Sequence, residues 1–253
     1  MSAQLTRRNF LTGAALAAPA VIVAYDGFTG ALKLKDRFLS SGEWVSRTLH
    51  ENIGRNALAR EYGPEDISPK FRVNGTFQPT TPEWQTHAET GFIQWKLPVS
   101  GLVRRPLALS LDEIMSLPSR TQITRHDCVE GWSAIGKWTG TPVSEVLDRA
   151  GLQEGARYVV FWCSDVIRGW QYYESIDLID AFHPQTILAY GMNDKLLPTF
   201  HGAPLRLRVE RQLGYKSAKF LSGIEVVSDF STIGEGKGGF WQDANGYEWY
   251  AGI

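Results

Sequence analysis

Arg125-His126-Asp127-Cys128-Val129-Glu130-Gly131-Trp132-Ser133 is the stretch on which the reading of this chain turns. Thr121–Cys128 reads as a strand running into a loop, with a cysteine where the strand ends. A thiol placed there, with Arg125 nearby, sits where its pKa can be lowered. A thiolate is a soft ligand suited to a polarizable redox metal, and one thiolate cannot hold a metal by itself, so the other ligands have to come from a bound group. On these residues alone, a small core cysteine is an equal reading.

On the C-terminal side of this stretch, Thr141 is expected to cap a helix over Pro142–Ala150, with proline at its first position and Gly151 just past its end. Tyr158–Trp162 reads as a buried strand, Ile176–Phe182 as a short helix, and Ile187–Met192 as a strand followed by a turn at Asn193-Asp194. Leu205–Val209 alternates as a strand, and Gly223–Val227 closes the set. On the N-terminal side, Phe92–Val103 alternates with Ile93, Trp95, Leu97 and Val99 on one face. Ser110 is placed to cap a helix over Leu111–Leu117 that Pro118 ends, and a further helix is expected around Val45–Arg60. Strands and short helices mix without a regular strand–helix–strand beat, so the expected class is α+β with a mixed sheet. A Gly-rich tail, Gly234–Ile253, carries Phe240, Trp241, Tyr247, Trp249 and Tyr250, and is expected to be pinned across the surface.

The 253 residues are 43% hydrophobic and 21% charged, a globular profile with length for one large domain or two small ones. With 26 basic against 27 acidic side chains the net charge is -1, so no global field draws the chain to nucleic acid or anionic lipid. Nine Trp and nine Tyr fit a thick core, or a walled pocket for a large planar ligand. The N-terminus reads Thr6-Arg7-Arg8-Asn9-Phe10-Leu11 and then an apolar run through Ala24. Paired arginines ahead of a short, weakly hydrophobic run match a twin-arginine signal over residues 1–24, and the run is too short to span a membrane. That route carries proteins already folded, as is needed when a cofactor is inserted in the cytoplasm, so the expected location is the periplasm. In an exported chain the default use of Cys128 and Cys163 is a disulfide, which would take Cys128 away from a metal.

The motif Arg-His-x-Cys-Val-Glu-x-Trp-Ser, with Trp138-x-Gly140-x-Pro142 ten residues on, resembles the molybdenum-ligand loop of the sulfite oxidase family. A second block, His201-Gly-Ala-Pro-Leu-Arg206 through Leu213-Gly-Tyr-Lys-Ser-Ala-Lys219, is similar to that family's pterin-phosphate loop. The resemblance covers roughly Phe92–Val227 and is strongest to the sulfoxide-reducing branch. It implies a single-domain, mixed-sheet molybdopterin-binding fold, a molybdenum–molybdopterin cofactor, and Cys128 as the metal's protein ligand. It further implies that His201, Arg206, Gly214, Tyr215, Lys216 and Lys219 bind the cofactor, with His201 where that branch has an amide. Arg72 and Asn74 are similar to an early cofactor-binding stretch, His126 either faces the cofactor or is structural, and Cys163 is a cofactor neighbour or a plain core residue. Tyr172 or Tyr173 falls where the family places an active-site tyrosine, before Ser175-Ile-Asp-Leu178. The implied organisation is a signal over 1–24, an N-terminal extension packing on the core over 25–90, the oxidoreductase domain over 91–230 and a tail over 231–253.

The second block also makes sense by its charges. Between Pro204 and Lys219 stand Arg206, Arg208, Arg211, Lys216 and Lys219 against Glu210 alone, and a phosphate needs fixed donors. Gly214 lets backbone N–H groups approach such an anion closely. Arg206, Lys216 and Lys219 are expected at the phosphate, with Arg208 and Arg211 as surface charges.

The function expected from these features is oxygen-atom transfer at molybdenum. The chain carries no Cys-x-x-Cys-His haem site and no clustered cysteines, so electrons pass through another protein. The family implies a membrane cytochrome b, with a soluble cytochrome c as the second choice. Val129-Glu130-Gly131-Trp132 stands where sulfite oxidases carry substrate-binding cations; Glu130 repels sulfite, which favours reduction of a small-molecule or protein-bound S- or N-oxide. Sulfite-type oxidation is the alternative, and a metal-free exported binding domain with a Cys128–Cys163 disulfide is the rival of another class.

Overall fold

A computed structural model describes residues 41–49 and 56–253. The chain divides into two compact units, Met1–Ser46 and Arg47–Ile253. The signal segment 1–24 lies outside the described residues, and in the first unit only residues 41–46, which are helical, are described. The second unit holds ten strands among its described residues. In chain order they are β1 (Lys96–Gly101), β2 (Leu107–Ser110), β3 (Arg120–Cys128), β4 (Trp132–Pro142), β5 (Tyr158–Ile167), β6 (Trp170–Asp177), β7 (Ile187–Met192), β8 (Lys195–Leu196), β9 (Arg206–Arg208) and β10 (Leu221–Val227). One sheet runs β2-β1-β10-β5-β6 and the other β3-β4-β7-β8, with β9 on β7. β1 and β10 pair in parallel while their other neighbours are antiparallel, so the first sheet is mixed, as the irregular order of strands and helices predicts.

Short helices cover these sheets: α1 (Pro82–Glu89), α2 (Leu111–Met115), α3 (Val143–Ala150), α4 (Leu178–Ala181) and α5 (Phe240–Asn245). Helix α2 forms where expected, because Ser110 Oγ accepts the Glu113 N–H at 3.2 Å and the Glu113 carboxylate accepts the Ser110 N–H at 2.8 Å. Helix α3 buries Val143, Val146, Leu147 and Ala150, the i, i+3, i+4, i+7 positions of one face, and Gly151 ends it at φ 69°. Its cap differs from the expected one. Thr141 belongs to β4, and its buried hydroxyl donates to Ile114 O at 2.7 Å, tying α2 to the second sheet.

Other boundaries move for local reasons. The expected strand from Phe92 starts only at Lys96, because a turn with Phe92 at φ 63° leaves Ile93 exposed while Trp95, Leu97 and Val99 stay buried. Ile176 lies in a strand, not a helix: β6 runs on to Asp177, whose carboxylate accepts the Asp180 N–H at 2.9 Å and caps α4. Of the helix expected around Val45–Arg60, residues 45–49 are helical, 57–60 are not, and 50–55 lie outside the described residues. The tail is held by bridges from Gly239 to Glu174 and Gly252 to Gln212, with Phe240, Gln242 and Tyr250 buried. No helix among the described residues is long and apolar enough to cross a membrane.

Candidate functional site

The turn between β3 and β4 is three residues long, Val129-Glu130-Gly131. Gly131 takes φ 83°, and its N–H donates to Cys128 O at 3.0 Å. Strand alternation fixes what faces inward. Gln122, Thr124, His126 and Cys128 are buried, while Arg125 points to the other side and pairs with Asp127 at 3.0 Å. Arg125 therefore does not tune the thiol, contrary to the sequence reading. Burial pushes the Cys128 thiol up and the Glu130 charge adds to this, while a backbone contact at Glu130 and the charges of Arg206 and Arg72 act the other way.

Cys128 lines a cleft together with Asn74, Gly75, Thr76, Glu130, Asp165 and Tyr172. Gly214, Tyr215, Ser217 and Lys219 line it too, as do Trp241 and Tyr247 of the tail. Six residues expected from sequence thus share one cavity: Asn74, Cys128, Tyr172, Gly214, Tyr215 and Lys219. Alternation along β6 separates the two tyrosines. Tyr172 turns into the cleft and donates to Tyr215 O at 3.0 Å. Tyr173 turns the other way and bonds Asp243 in a second pocket lined by Trp162 and Trp170, so it is not part of this site. Cys163 is buried in β5 opposite Leu221 and does not line the cleft. Both cysteines are free thiols, which removes the disulfide on which the binding-domain reading depended.

The five cations of the second block sort by partner. Arg208 and Arg211 are buried, not surface charges: Arg208 pairs with Glu210 at 2.6 Å, and Arg211 pairs with Asp180. Lys216 is also buried, with its ammonium 2.8 Å from Glu174, so its charge is taken up inside the fold and is not directed at the cleft. Arg206 and Lys219 differ. Among the described residues Arg206 bonds only the oxygens of His201 (3.2 Å) and Asn74 (3.4 Å), and its Nε has no partner. Lys219 bonds the carbonyls of Thr76 and Phe200, the latter at 3.2 Å. Among the described residues neither forms an ion pair with a carboxylate. Burial and neighbouring positive charge lower Arg206 to about 9 and Lys219 to about 7. Two buried cations matched only by carbonyl oxygens are a site for an anion.

The two histidines behind them are neutral. His201 is lowered to about 4 by burial and then by Arg206 and Lys219, and its Nδ1 is unmatched. His126 is held well below its ordinary value, first by burial and then by Arg208. Its Nδ1 lies 2.8 Å from an Arg208 N–H group, which can only donate, so the ring proton sits on Nε2. His126 does not line the cleft; it stands behind Gly214, where an added Cβ would come within 2.3 Å of the imidazole. Gly214→Ala is therefore expected to cost about 1–3 kcal/mol, read as a lower thermal midpoint; an unchanged midpoint would show that the loop moves aside freely. Arg72 sits over the Trp132 ring at 5.5 Å, beside the cysteine turn but not in the cleft wall.

Sequence reasoning missed Thr76, Asp165, Ser217, Trp241 and Tyr247. The tail aromatics carried a signal in their density, whereas Asp165 looks like any strand-end acid. Among the described residues no group of three or more His, Cys, Asp or Glu could hold a metal ion. The cleft offers a metal one thiolate, and the rest of its ligands would have to arrive with a cofactor. Neither Arg206 nor His201 lines the cleft, but the unmatched Nε–H of the buried Arg206 and the closeness of Gly214, which does line it, to His126 fit a cofactor that ends in a phosphate.

Residues 83–232 match the family described as the oxidoreductase molybdopterin binding domain. A putative protein-methionine-sulfoxide reductase subunit YedZ1 of Azospira oryzae is 42% identical over 164 residues, covering 65% of this chain and 58% of that protein. The protein-methionine-sulfoxide reductase catalytic subunit MsrP of Ralstonia nicotianae is 33% identical over 178 residues, covering 66% and 50%. The chain spans about half the length of the curated relatives it matches. Among solved structures, the sulfane dehydrogenase SoxCD of Paracoccus pantotrophus shares 19% identity at a TM-score of 0.49, over 54% of this chain and 39% of that one. With more than half of its length matched, this chain belongs to the oxidoreductase molybdopterin binding domain family.

Proposed function

We propose that this chain is an exported molybdenum-cofactor oxidoreductase that removes the oxygen atom from a neutral S-oxide or N-oxide. The observation that carries the reading is that Cys128 and Lys219 line one cleft and that Lys219 and the buried Arg206, among the described residues, form no ion pair with a carboxylate. Bound in this cleft, molybdopterin would supply two-electron oxygen-atom exchange at its metal. Cys128 would be the protein's ligand to that metal. Lys219, in the cleft lining, and Arg206, fully buried and reaching it through Asn74, would hold the phosphate, with Gly214 and Tyr215 supplying the close backbone wall. The Tyr172 hydroxyl, spent on Tyr215 O, holds the Gly214–Lys216 turn in place.

The mouth argues for a neutral substrate. Glu130 lines it, and its carboxylate is fixed by the Trp132 indole N–H at 3.0 Å. Because Arg125 faces the other side, it offers no offset to that negative charge. The sulfoxide-reductase names of the relatives support the same direction. Reduction of a sulfoxide to a thioether and water consumes two electrons and two protons, and the electrons would come from a separate protein, a membrane cytochrome b in the first instance and a soluble cytochrome c in the second.

Protein made in a host that synthesises the cofactor should be assayed with dye donors and acceptors on dimethyl sulfoxide, methionine sulfoxide, trimethylamine N-oxide and sulfite. Neutral oxides are expected to turn over faster than sulfite; sulfite as the clear best substrate would refute the reductase reading and leave the cofactor site standing. The paired arginines of the N-terminus support export to the periplasm. Arg7→Lys with Arg8→Lys is expected to strand folded, pterin-loaded protein in the cytoplasm, as fractionation would show, and normal periplasmic levels would mean another route.

A further inference from the structure

A second cavity, of about 560 Å³, is separate from the cysteine cleft, and the oxygen-transfer chemistry proposed above makes no use of it. Neighbouring residues divide between the two: Tyr172 and Trp241 line the cleft, Tyr173 and Phe240 the second cavity. Trp162 and Tyr173 in its lining are cross-strand partners, their rings 5.4 Å apart and tilted by 34°. Trp170, 64% exposed, lines it as well. Among the described residues three charged side chains join these four rings. Arg168 comes from the two-residue turn between β5 and β6, at φ 53° ahead of Gly169 at φ 84°. Glu235 and Asp243 come from the tail. Arg168 pairs with neither of them, and forms no ion pair among the described residues. One cavity therefore holds a free guanidinium and two carboxylates that do not neutralise it.

The two carboxylates differ. Glu235 is exposed, with Lys237 at 3.7 Å. Asp243 accepts the Tyr173 hydroxyl, the Glu235 N–H at 3.0 Å and the Lys237 N–H at 3.1 Å. With three of its roughly four acceptor sites filled, it keeps its charge but has little left for a ligand N–H. Beside aromatic rings, the cation that suits such a carboxylate is one without N–H groups. A quaternary ammonium meets that condition and packs its methyl groups on ring faces. A primary ammonium would shed strong hydration for too few acceptors. An apolar ligand would leave all three charges unanswered. We infer that this cavity binds a small zwitterion of the betaine class. Its quaternary ammonium lies among Trp162, Trp170, Tyr173 and Phe240 in the field of Asp243, and its carboxylate takes Arg168. None of these residues belongs to the proposed molybdopterin site except as a chain neighbour, so either reading can fail alone.

The test is calorimetric titration of the full chain with glycine betaine, glycine, choline and dimethylbutanol, the uncharged isostere of choline. Glycine betaine is expected to bind saturably. Glycine, which lacks the methyl groups, and dimethylbutanol, which lacks the charge, should each bind at least ~10-fold more weakly. W170A should weaken betaine and choline alike, by ~5-fold or more. R168Q should weaken betaine by roughly 3-fold and leave choline unmoved, since choline has no carboxylate. Both positions are exposed, and thermal unfolding identifies folded variants. No saturable binding of betaine would overturn the inference, as would glycine or dimethylbutanol binding as tightly as betaine. Betaine affinity unchanged in both W170A and R168Q would overturn it too, by placing the ligand elsewhere.

Discussion

Cys128→Ser is expected to purify with wild-type amounts of pterin and to lose at least ~100-fold in turnover, more than the 10–100-fold typical of losing a partner that only orients a metal ligand. The change is nearly isosteric, at a position that is 9% exposed at the end of β3, so the hairpin and its Gly131 turn should form unchanged. Phosphate binding is assigned to Arg206 and Lys219, and neither depends on the thiol. What serine cannot reproduce is the soft, polarizable donor, because its hydroxyl is a harder and more basic ligand. The measurements are pterin and molybdenum content alongside steady-state rates with an artificial donor. Wild-type rates in loaded Cys128→Ser would remove the thiolate from the chemistry, and loss of pterin with normal folding would mean that Cys128 also retains the cofactor.

The cysteine turn was legible because its determinants are local. Alternation over Thr121–Cys128 places His126 and Cys128 on one face, and a Gly at the third loop residue suits a three-residue hairpin. Ser110 and Glu113 capped α2 for the same reason, within four residues of chain. What sequence could not sort was the fate of the cations in the second block. Whether Arg206, Arg208, Arg211 or Lys216 carries free charge depends on Glu210, Asp180 and Glu174, and two of those three partners lie some thirty to forty residues away. The β6 strand was missed because Glu174 and Ser175 interrupt its apolar pattern; both are buried and bonded, Glu174 to Lys216 and Ser175 to Gly238. Asp165 carried no signal, since nothing in its neighbours tells a buried acid from an exposed one.

Arg206 and Arg208 sit two residues apart on β9, both over the Trp138 ring, at 5.3 Å and 4.5 Å, yet their substitution is expected to have opposite consequences. Methionine keeps most of the buried volume at either position. Arg206→Met removes a cation that, among the described residues, forms no ion pair with a carboxylate. Its folded pKa, about 9, is depressed from the ordinary 12.5. For a base the sign is that the unfolded chain holds the proton more tightly, so at neutral pH the buried charge works against folding. Cofactor-free Arg206→Met should therefore be as stable as wild type or more so. Its pterin affinity should fall by about 2–5 kcal/mol, the cost of losing one partner of a buried charge pair. Arg208→Met instead strips the guanidinium from Glu210, which is left with only the Gln122 amide at 2.9 Å, and from His126. An uncompensated buried carboxylate costs about 3–5 kcal/mol, a fall in thermal midpoint of roughly 10 °C for a unit of this size. Pterin content per folded molecule should stay near wild type. Thermal unfolding of cofactor-free protein and pterin quantification of loaded protein separate the two. Full loading of Arg206→Met, or an unmoved midpoint with lost pterin in Arg208→Met, would overturn this division of roles.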